Sequence, residues 1–293
     1  MSSPQVVLIT GSSTGFGRLF AETLARQGHS IFATMREPEG RNSANASALA
    51  STTGIHVLEM DVTDESSVNR AVDACLRQAG RIDVVINNAG YVLAGLNEAC
   101  TSEQVREIFD TNFLGCVRVN RAALPAMRRQ RGGLLIHISS GAGRVILPGF
   151  GYYCASKFAM EAMAESYHYE LAGQGIESCI VEPGAYKTDI FGNFVNASDS
   201  ARTETYGNAM QLPDKVNAIL AASVADAQQV ADAVLSIVET PAGQRKLRYR
   251  VSPQDFGVDQ INAVCAQVQS TVIDRFGLTA DTRFTQRSAA FGS

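Results

Sequence analysis

Short apolar runs alternate with longer stretches of helical spacing along this chain. VVLIT (6–10) leads into a helical pattern ending at Gly28, and SIFATM (30–35) into a polar loop. IHVLEMDV (55–62) precedes a helix through about Gln78, and DVVINNAG (83–90) a long helical stretch from Glu103 to about Met127. LLIHISS (134–140), a helix beginning near GYYCASKFAM (151–160) and SCIVEPG (178–184) continue the rhythm. Runs that are apolar along their whole length belong to strands buried on both faces, as in parallel sheets covered by helices. The repetition predicts an α/β fold: a doubly wound parallel sheet, Rossmann-like, with helices on both faces.

No linker or repeat divides the chain, so residues 1–293 read as one domain. After Gly184 the rhythm breaks into YKTDIFGNFVNASDSARTETYGNAM, rich in Ser, Asn, Thr and Gly. A segment this long without its own structure is usually a functional lid, and 185–215 is read as a lid over a substrate. A helix (Ala227 to Glu239), a short strand (KLRYRV) and a C-terminal helix (about Val258 to Phe276) follow, with 251–293 forming an extension.

The first strand runs into TGSSTGFG, with Gly11, Gly15 and Gly17. Glycines between a strand and a helix allow a tight turn and let a pyrophosphate approach free N–H groups at the helix N-terminus. A dinucleotide is the expected ligand. The second strand ends in Thr34, Met35 and Arg36, with no acid before Glu37. A ribose diol calls for an acid there and a 2′-phosphate for a cation, so Arg36 points to NADP(H), although a solvated loop arginine would look the same. Asp61, closing the third run, is placed to accept from an adenine amino group.

Tyr153 and Lys157 stand four apart in a helical run, one turn from each other on one face. An ammonium beside a phenol stabilises the phenolate, so a lowered tyrosine pKa is expected. Asn112 falls on an apolar stripe with Val105, Ile108, Phe109 and Cys116, as a structural amide or as one holding a water. Ser139 and Ser140 end a strand at the carboxyl edge where open α/β sheets bind ligands; either could also simply cap a turn.

Charge and composition narrow the partners. The net charge is −4 with no basic block, which argues against nucleic acid and anionic membranes. MSSPQ lacks a basic n-region, and no apolar stretch reaches the roughly 20 residues of a membrane span, so a cytoplasmic protein is expected. Six scattered cysteines and four histidines show no metal-ligand spacing, and no metal is expected.

In order and spacing these residues resemble the short-chain dehydrogenase/reductase family, in its single-domain branch, from about Val6 to Arg250. The resemblance is carried by T-G-x-x-x-G-x-G (Thr10 to Gly17), Asp61–Val62, N-N-A-G (Asn87 to Gly90) and Asn112. Ser140, Y-x-x-x-K (Tyr153 to Lys157) and P-G-x-x-x-T (Pro183 to Thr188) complete it. ATMR and YCASKF look most like the NADP-dependent 17β-hydroxysteroid and retinol dehydrogenases. The resemblance implies hydride transfer between NADP(H) and a carbonyl/alcohol pair. Tyr153 would be the general acid/base, Lys157 would depress its pKa and hold the nicotinamide ribose, Ser140 would bind the substrate oxygen, and Asn112 would hold a relay water. It implies cofactor contacts from Gly11, Ser13, Gly15, Phe16, Gly17, Arg36, Asp61, Val62, Asn88, Ala89, Gly90, Tyr153, Lys157, Pro183, Gly184 and Thr188. A non-catalytic NADP(H) sensor and a sugar-nucleotide epimerase share the fold. Sensors characteristically lose the tyrosine or lysine, and the glycine spacing argues against the epimerase.

Val145, Ile146, Leu147 and Phe150, with Phe191, Phe194 and Val195 in the lid, are candidate walls for a small hydrophobic ketone, aldehyde or alcohol; core or interface roles would read alike. The helix from Tyr153 to Leu171 is apolar nearly all round, and the one before it is broad, which predicts a homodimer or homotetramer through these two helices. The alternative is a C-terminal segment, with Ile261, Val264, Val268 and Val272, folded back over them.

Overall fold

The computed structural model describes residues 3–186 and 194–285. Seven strands form its main sheet: β1 (Val6–Ile9), β2 (Ser30–Met35), β3 (Ile55–Glu59), β4 (Val84–Asn87), β6 (Gly133–Ile138), β7 (Ile176–Pro183) and β9 (Arg248–Val251). Their order is β3–β2–β1–β4–β6–β7–β9, and every pairing is parallel. The chain winds outward from β1 in both directions, which opens a crevice between β1 and β4 where α/β proteins bind ligands.

Side chains alternate across each strand, and both faces are covered. Val7 and Ile9 face α1 (Gly15–Arg26) and α8 (Gln228–Glu239) in one core with Phe20, Leu24, Val230 and Val234. Val6 and Leu8 face α3 (Glu65–Ala79) and α5 (Gly115–Gln130) in a second, with Val68, Val72, Val119 and Met127. A third, smaller cluster of Val92, Ala94, Ala142, Phe150 and Cys154 sits above the strand ends. The register aligns Ile9 with Ile86, Ile86 with Ile136, and Ile138 with Val181, so these strands end together on one edge.

The observed elements depart from the expected ones in three places. The polar loop after β2 contains a helix, α2 (Ser43–Ala50), which buries only Ala46 and Leu49. Its alanines favour helix without apolar periodicity to announce it. Within the stretch read as structureless, Val195–Asn196 forms a two-residue strand, β8, paired with β5 (Leu93–Ala94), and two 3₁₀ turns lead into α7 (Leu212–Ala221). The long stretch from Glu103 is α4 (Ser102–Phe109) and α5 joined by a π-turn over Asp110–Leu114. The helix of the Y-x-x-x-K motif is α6 (Gly151–Glu170), and the last is α9 (Val258–Arg275). Among the described residues, no helix is long and apolar enough to cross a membrane.

Candidate active site

The start of the glycine-rich turn between β1 and α1, at Thr10 and Gly11, is fastened to the end of β4 by hydrogen bonds. Thr10 Oγ1 accepts from the N–H groups of Asn88 and Ala89, each at 2.9 Å. Asn88 Nδ2 donates to the carbonyls of Thr10 and Gly11 at 2.9 and 3.0 Å. The packing leaves no room for side chains. A Cβ on Gly17 would lie 2.3 Å from the Gly11 carbonyl oxygen, and one on Gly11, at φ +68°, would lie 2.9 Å from Ala89 Cα. Gly15 also takes a left-handed φ, +56°, which glycine adopts without strain. Phe16 lines the cleft beside this turn, Ser13 is half-buried in it, and the N–H groups that open α1 lie at the sheet edge.

Across the cleft, α6 brings the motif residues together. The Ser140 hydroxyl sits close enough to the Tyr153 phenol to pull its pKa down. Ser140 Oγ also accepts from Ala142 N at 3.1 Å, shaping the turn that follows β6. Lys157, 5% exposed, donates from Nζ to the Ile138 carbonyl at 2.8 Å and lies 6.0 Å from the centre of the Tyr153 ring. The π-turn aims Asn112 at the same point. Its Oδ1 accepts from Tyr91 N and its Nδ2 donates to Tyr91 O, both at 3.0 Å, and Nδ2 also reaches Ser156 Oγ at 3.1 Å. A Cβ on Gly90 would lie 2.9 Å from Asn112 Oδ1 and 3.8 Å from Lys157 Nζ. The amide of Asn112 is therefore a structural tie for the Tyr91 loop as well as a neighbour of the lysine.

The electrostatics of the pair differ from expectation. Burial pushes the Tyr153 phenol up to about 12, against a weaker opposing pull from Ser140. Burial also brings Lys157 down to about 8, with Cys116 and Glu161 opposing. Desolvation outweighs the attraction read from the i, i+4 spacing, because the ammonium is turned to a backbone carbonyl and not to the phenol oxygen.

The remaining expected cofactor residues fall along the crevice. Arg36 is exposed at the end of β2. Asp61 is raised by partial burial, but hydrogen bonds from Thr63 and the fields of Arg36 and Arg41 outweigh this and hold it below the usual carboxylate range. Two cations thus flank one acid at the β2–β3 edge. Val62 is buried, and a Cβ on Gly115 would meet its side chain at 2.9 Å. Pro183 and Gly184 line the cleft from the end of β7. Thr188 lies outside the described residues, as does the expected wall residue Phe191.

The cleft above Tyr153 opens to solvent and, with its solvent-open mouth included, spans about 1000 Å³. Val145, Leu147, Phe150 and Phe194 face it as expected, while Ile146 is 63% exposed. Leu220 of α7 and Phe256, just before α9, also line it, which apolar patterning did not single out. Ser156 was missed as well. It is fully buried, donating to Tyr153 O at 2.7 Å while accepting from Asn112. A serine on the buried face of an otherwise apolar helix was the available signal.

A glycine turn tied to a strand end faces a tyrosine–lysine–serine group at the carboxyl edge of a doubly wound sheet, an arrangement of oxidoreductase type. Residues 5–199 match the family model for short chain dehydrogenases. The chain belongs to that family of oxidoreductases. It is 38% identical over 206 residues to a 3-ketodihydrosphingosine reductase of Bacteroides thetaiotaomicron, covering 70% of this chain and 73% of the relative. It is 37% identical over 205 residues to retinol dehydrogenase 8 of Bos taurus, covering 68% and 64%. Among solved structures, a short-chain dehydrogenase from Streptomyces avermitilis superposes with a TM-score of 0.76 at 28% identity, over 96% of this chain and all of that one.

Proposed function

We propose that this protein is an NADP(H)-dependent oxidoreductase that interconverts a hydrophobic ketone or aldehyde and the corresponding alcohol. The observation that carries the reading is the hydroxyl pair of Tyr153 and Ser140 beside Lys157, in a cleft walled mostly by apolar side chains. A substrate oxygen bound there would meet two hydroxyls and little else that is polar. The two relatives above are named for a keto compound and for retinol, which is consistent with a carbonyl/alcohol pair in such a cleft.

A nicotinamide cofactor, when bound, supplies or takes the hydride. The protein's own groups hold it and handle the proton. Gly11, Ser13, Gly15, Phe16 and Gly17 form the cradle for its pyrophosphate, where a side chain at Gly11 or Gly17 would clash. Asp61 and Val62 would hold the adenine, and Arg36 would take the 2′-phosphate. Asn88, Ala89, Gly90, Pro183 and Gly184 would border the rest, and Lys157 would hold the ribose of the reacting half. Tyr153 donates its proton to the substrate oxygen in reduction and recovers it in oxidation, with Ser140 bonded to the same oxygen. With the resting phenol near 12, Tyr153 holds its proton throughout the neutral range, ready for reduction. Oxidation near neutrality asks for a phenolate, about 7 kcal/mol less accessible at that value. Asn112 holds the Tyr91 loop, and its Oδ1 would accept from a water that relays protons to Lys157.

The test is cofactor oxidation against a panel of apolar and charged carbonyl compounds. The reading predicts faster turnover with NADPH than NADH, apolar ketones or aldehydes preferred, and a reversed cofactor preference in Met35→Asp/Arg36→Leu. Equal kcat/KM for the two cofactors would remove the role of Arg36; no turnover of any carbonyl would remove the reading.

A further inference from the structure

Behind the site lies a buried cluster of charge that the proposed chemistry does not use. Glu161, one turn beyond Lys157 on α6, is 2% exposed, and Glu182, just before Pro183 on β7, is fully buried. Both carboxyls reach the same guanidinium nitrogen, Nε of Arg248. Glu161 Oε1 accepts from Ser139 Oγ at 2.8 Å, and its Oε2 accepts from Arg248 Nε at 3.2 Å and stands 3.8 Å from Arg144 Nη1. Glu182 Oε2 accepts from Asn262 Nδ2 of α9 at 2.7 Å, while its Oε1 faces Arg248 Nε at 3.5 Å and has no hydrogen-bond donor. Arg248 also donates to Glu165 at 2.7 Å.

The two buried carboxyls converge on one nitrogen: Arg248 Nε lies 3.2 Å from Glu161 Oε2 and 3.5 Å from Glu182 Oε1. Two carboxylates held that close repel each other in a dry interior. One proton on the Glu161–Glu182 pair removes that repulsion and gives Glu182 Oε1 its missing donor. The other charged neighbours are committed elsewhere: Glu165 is partly exposed and paired with Arg248, and Lys157 donates to the Ile138 carbonyl. His168 of α6 sits near Glu165 and Arg248 with its pKa lowered by burial, and Arg250 of β9 is taken by Asp259 at 2.6 Å. Among the described residues no group of His, Cys, Asp and Glu could hold a metal.

The cluster also grips the elements on the Tyr153 side of the site. Ser139 precedes Ser140, Arg144 follows the Gly141–Gly143 turn, and a Cβ on Gly143 would lie 2.5 Å from Glu161 Oε1. Glu161 shares a helix with Tyr153 and Lys157, and Glu182 adjoins the Pro183–Gly184 turn. We propose that Glu161 and Glu182 hold one proton between them, and that this protonated pair positions Ser140, Lys157 and the Pro183–Gly184 turn for the reaction. The inference rests on the active-site reading above. Burial, with the neighbouring Glu182 carboxylate, raises Glu161 to about 7, and Glu182 is raised too, so the pair loses its proton as pH rises through neutrality. Glu161 is also one of the groups supporting the charge on Lys157. Ser139, whose hydroxyl is committed to Glu161, is a positioning residue and not a second substrate ligand.

Infrared spectra of the cofactor-free protein in D₂O, and pH profiles of kcat and KM, test this in wild type, Glu161→Gln, Glu161→Ala and Glu182→Gln. A Gln can mimic the protonated carboxyl, donating to its neighbour and accepting from Ser139 or Asn262. The expected results are a protonated-carboxyl band in wild type at about pH 6, well above an ordinary Glu, and its absence from both Gln variants. Each Gln variant keeps kcat within about threefold and loses the wild-type change across neutrality, whereas Glu161→Ala loses at least about tenfold in kcat at every pH. Absence of the band in wild type, or a Gln variant as impaired as Glu161→Ala, overturns the proposal. If Glu161→Ala fails to fold, the band and the two Gln profiles decide alone. Tyr153→Phe, measured alongside, separates the two failures: inactivity there leaves the active-site reading standing whatever the carboxyl pair does.

Discussion

Lys157 is held where its charge is costly. A lysine brought from 10.5 to about 8 binds its proton less tightly folded than unfolded. The penalty is therefore fully present below about pH 8 and disappears as pH rises towards the unfolded value, so this group makes the fold more stable with rising pH in that window. At neutral pH the penalty is about 3 kcal/mol. Lys157→Met keeps the stem and removes the charge, at the cost of leaving the Ile138 carbonyl without its donor, about 1–2 kcal/mol. The variant is expected to be inactive yet about 1–2 kcal/mol more stable than wild type at pH near 7, read from urea midpoints. A midpoint below wild type would mean that the fold depends on the ammonium. The spacing of Tyr153 and Lys157 was legible in the sequence, but the sign of the tyrosine shift was not. It depends on where Nζ points, and a backbone carbonyl leaves no mark in a motif.

At the scale of elements, legibility followed burial. The strands were readable because both faces are covered and β-branched runs have few other uses; SIFATM coincides with β2 to the residue. Helix α2 was hidden because two buried side chains in eight residues make no stripe. The π-turn was hidden for another reason. Asn112 lies on the expected apolar stripe, but its exact aim depends on an i→i+5 pattern that sequence periodicity does not resolve. Ser139, Glu161, Glu182 and Arg248 come from the end of β6, α6, β7 and β9, and polar residues in apolar segments read as isolated until the sheet order joins them. The glycine turn was the opposite case: Gly11 and Gly17 were readable because a close backbone approach admits no other residue.

For the whole molecule, α9 is tied to the β7–β9 side of the sheet through Asn262 to Glu182 and Asp259 to Arg250. The tail reaches the end of α6 through Thr285 N to Ala172 O. Ala155, Phe158 and Ala162, spaced three and four apart on α6, are exposed, Phe158 by 38%. An apolar stripe of that kind fits a twofold contact through α5 and α6. Light scattering at micromolar concentration is expected to give a dimer or tetramer of the 31.3 kDa chain, dissociated by Phe158→Glu. A monomeric wild type would exclude the contact, and an assembly that Phe158→Glu leaves intact would move it to another face.

The central claim is that the Tyr153 hydroxyl carries the proton of a carbonyl reduction, and one variant tests it most directly. Tyr153→Phe removes one oxygen from the cleft and leaves the glycine turn, Lys157 and the apolar walls in place. With a carbonyl compound that wild type reduces, the variant should lose at least about a thousandfold in kcat. Its affinity for NADPH, followed by fluorescence titration, should stay within about threefold of wild type. Turnover near the wild-type rate, with cofactor binding unchanged, would contradict the assignment of Tyr153 as the proton donor.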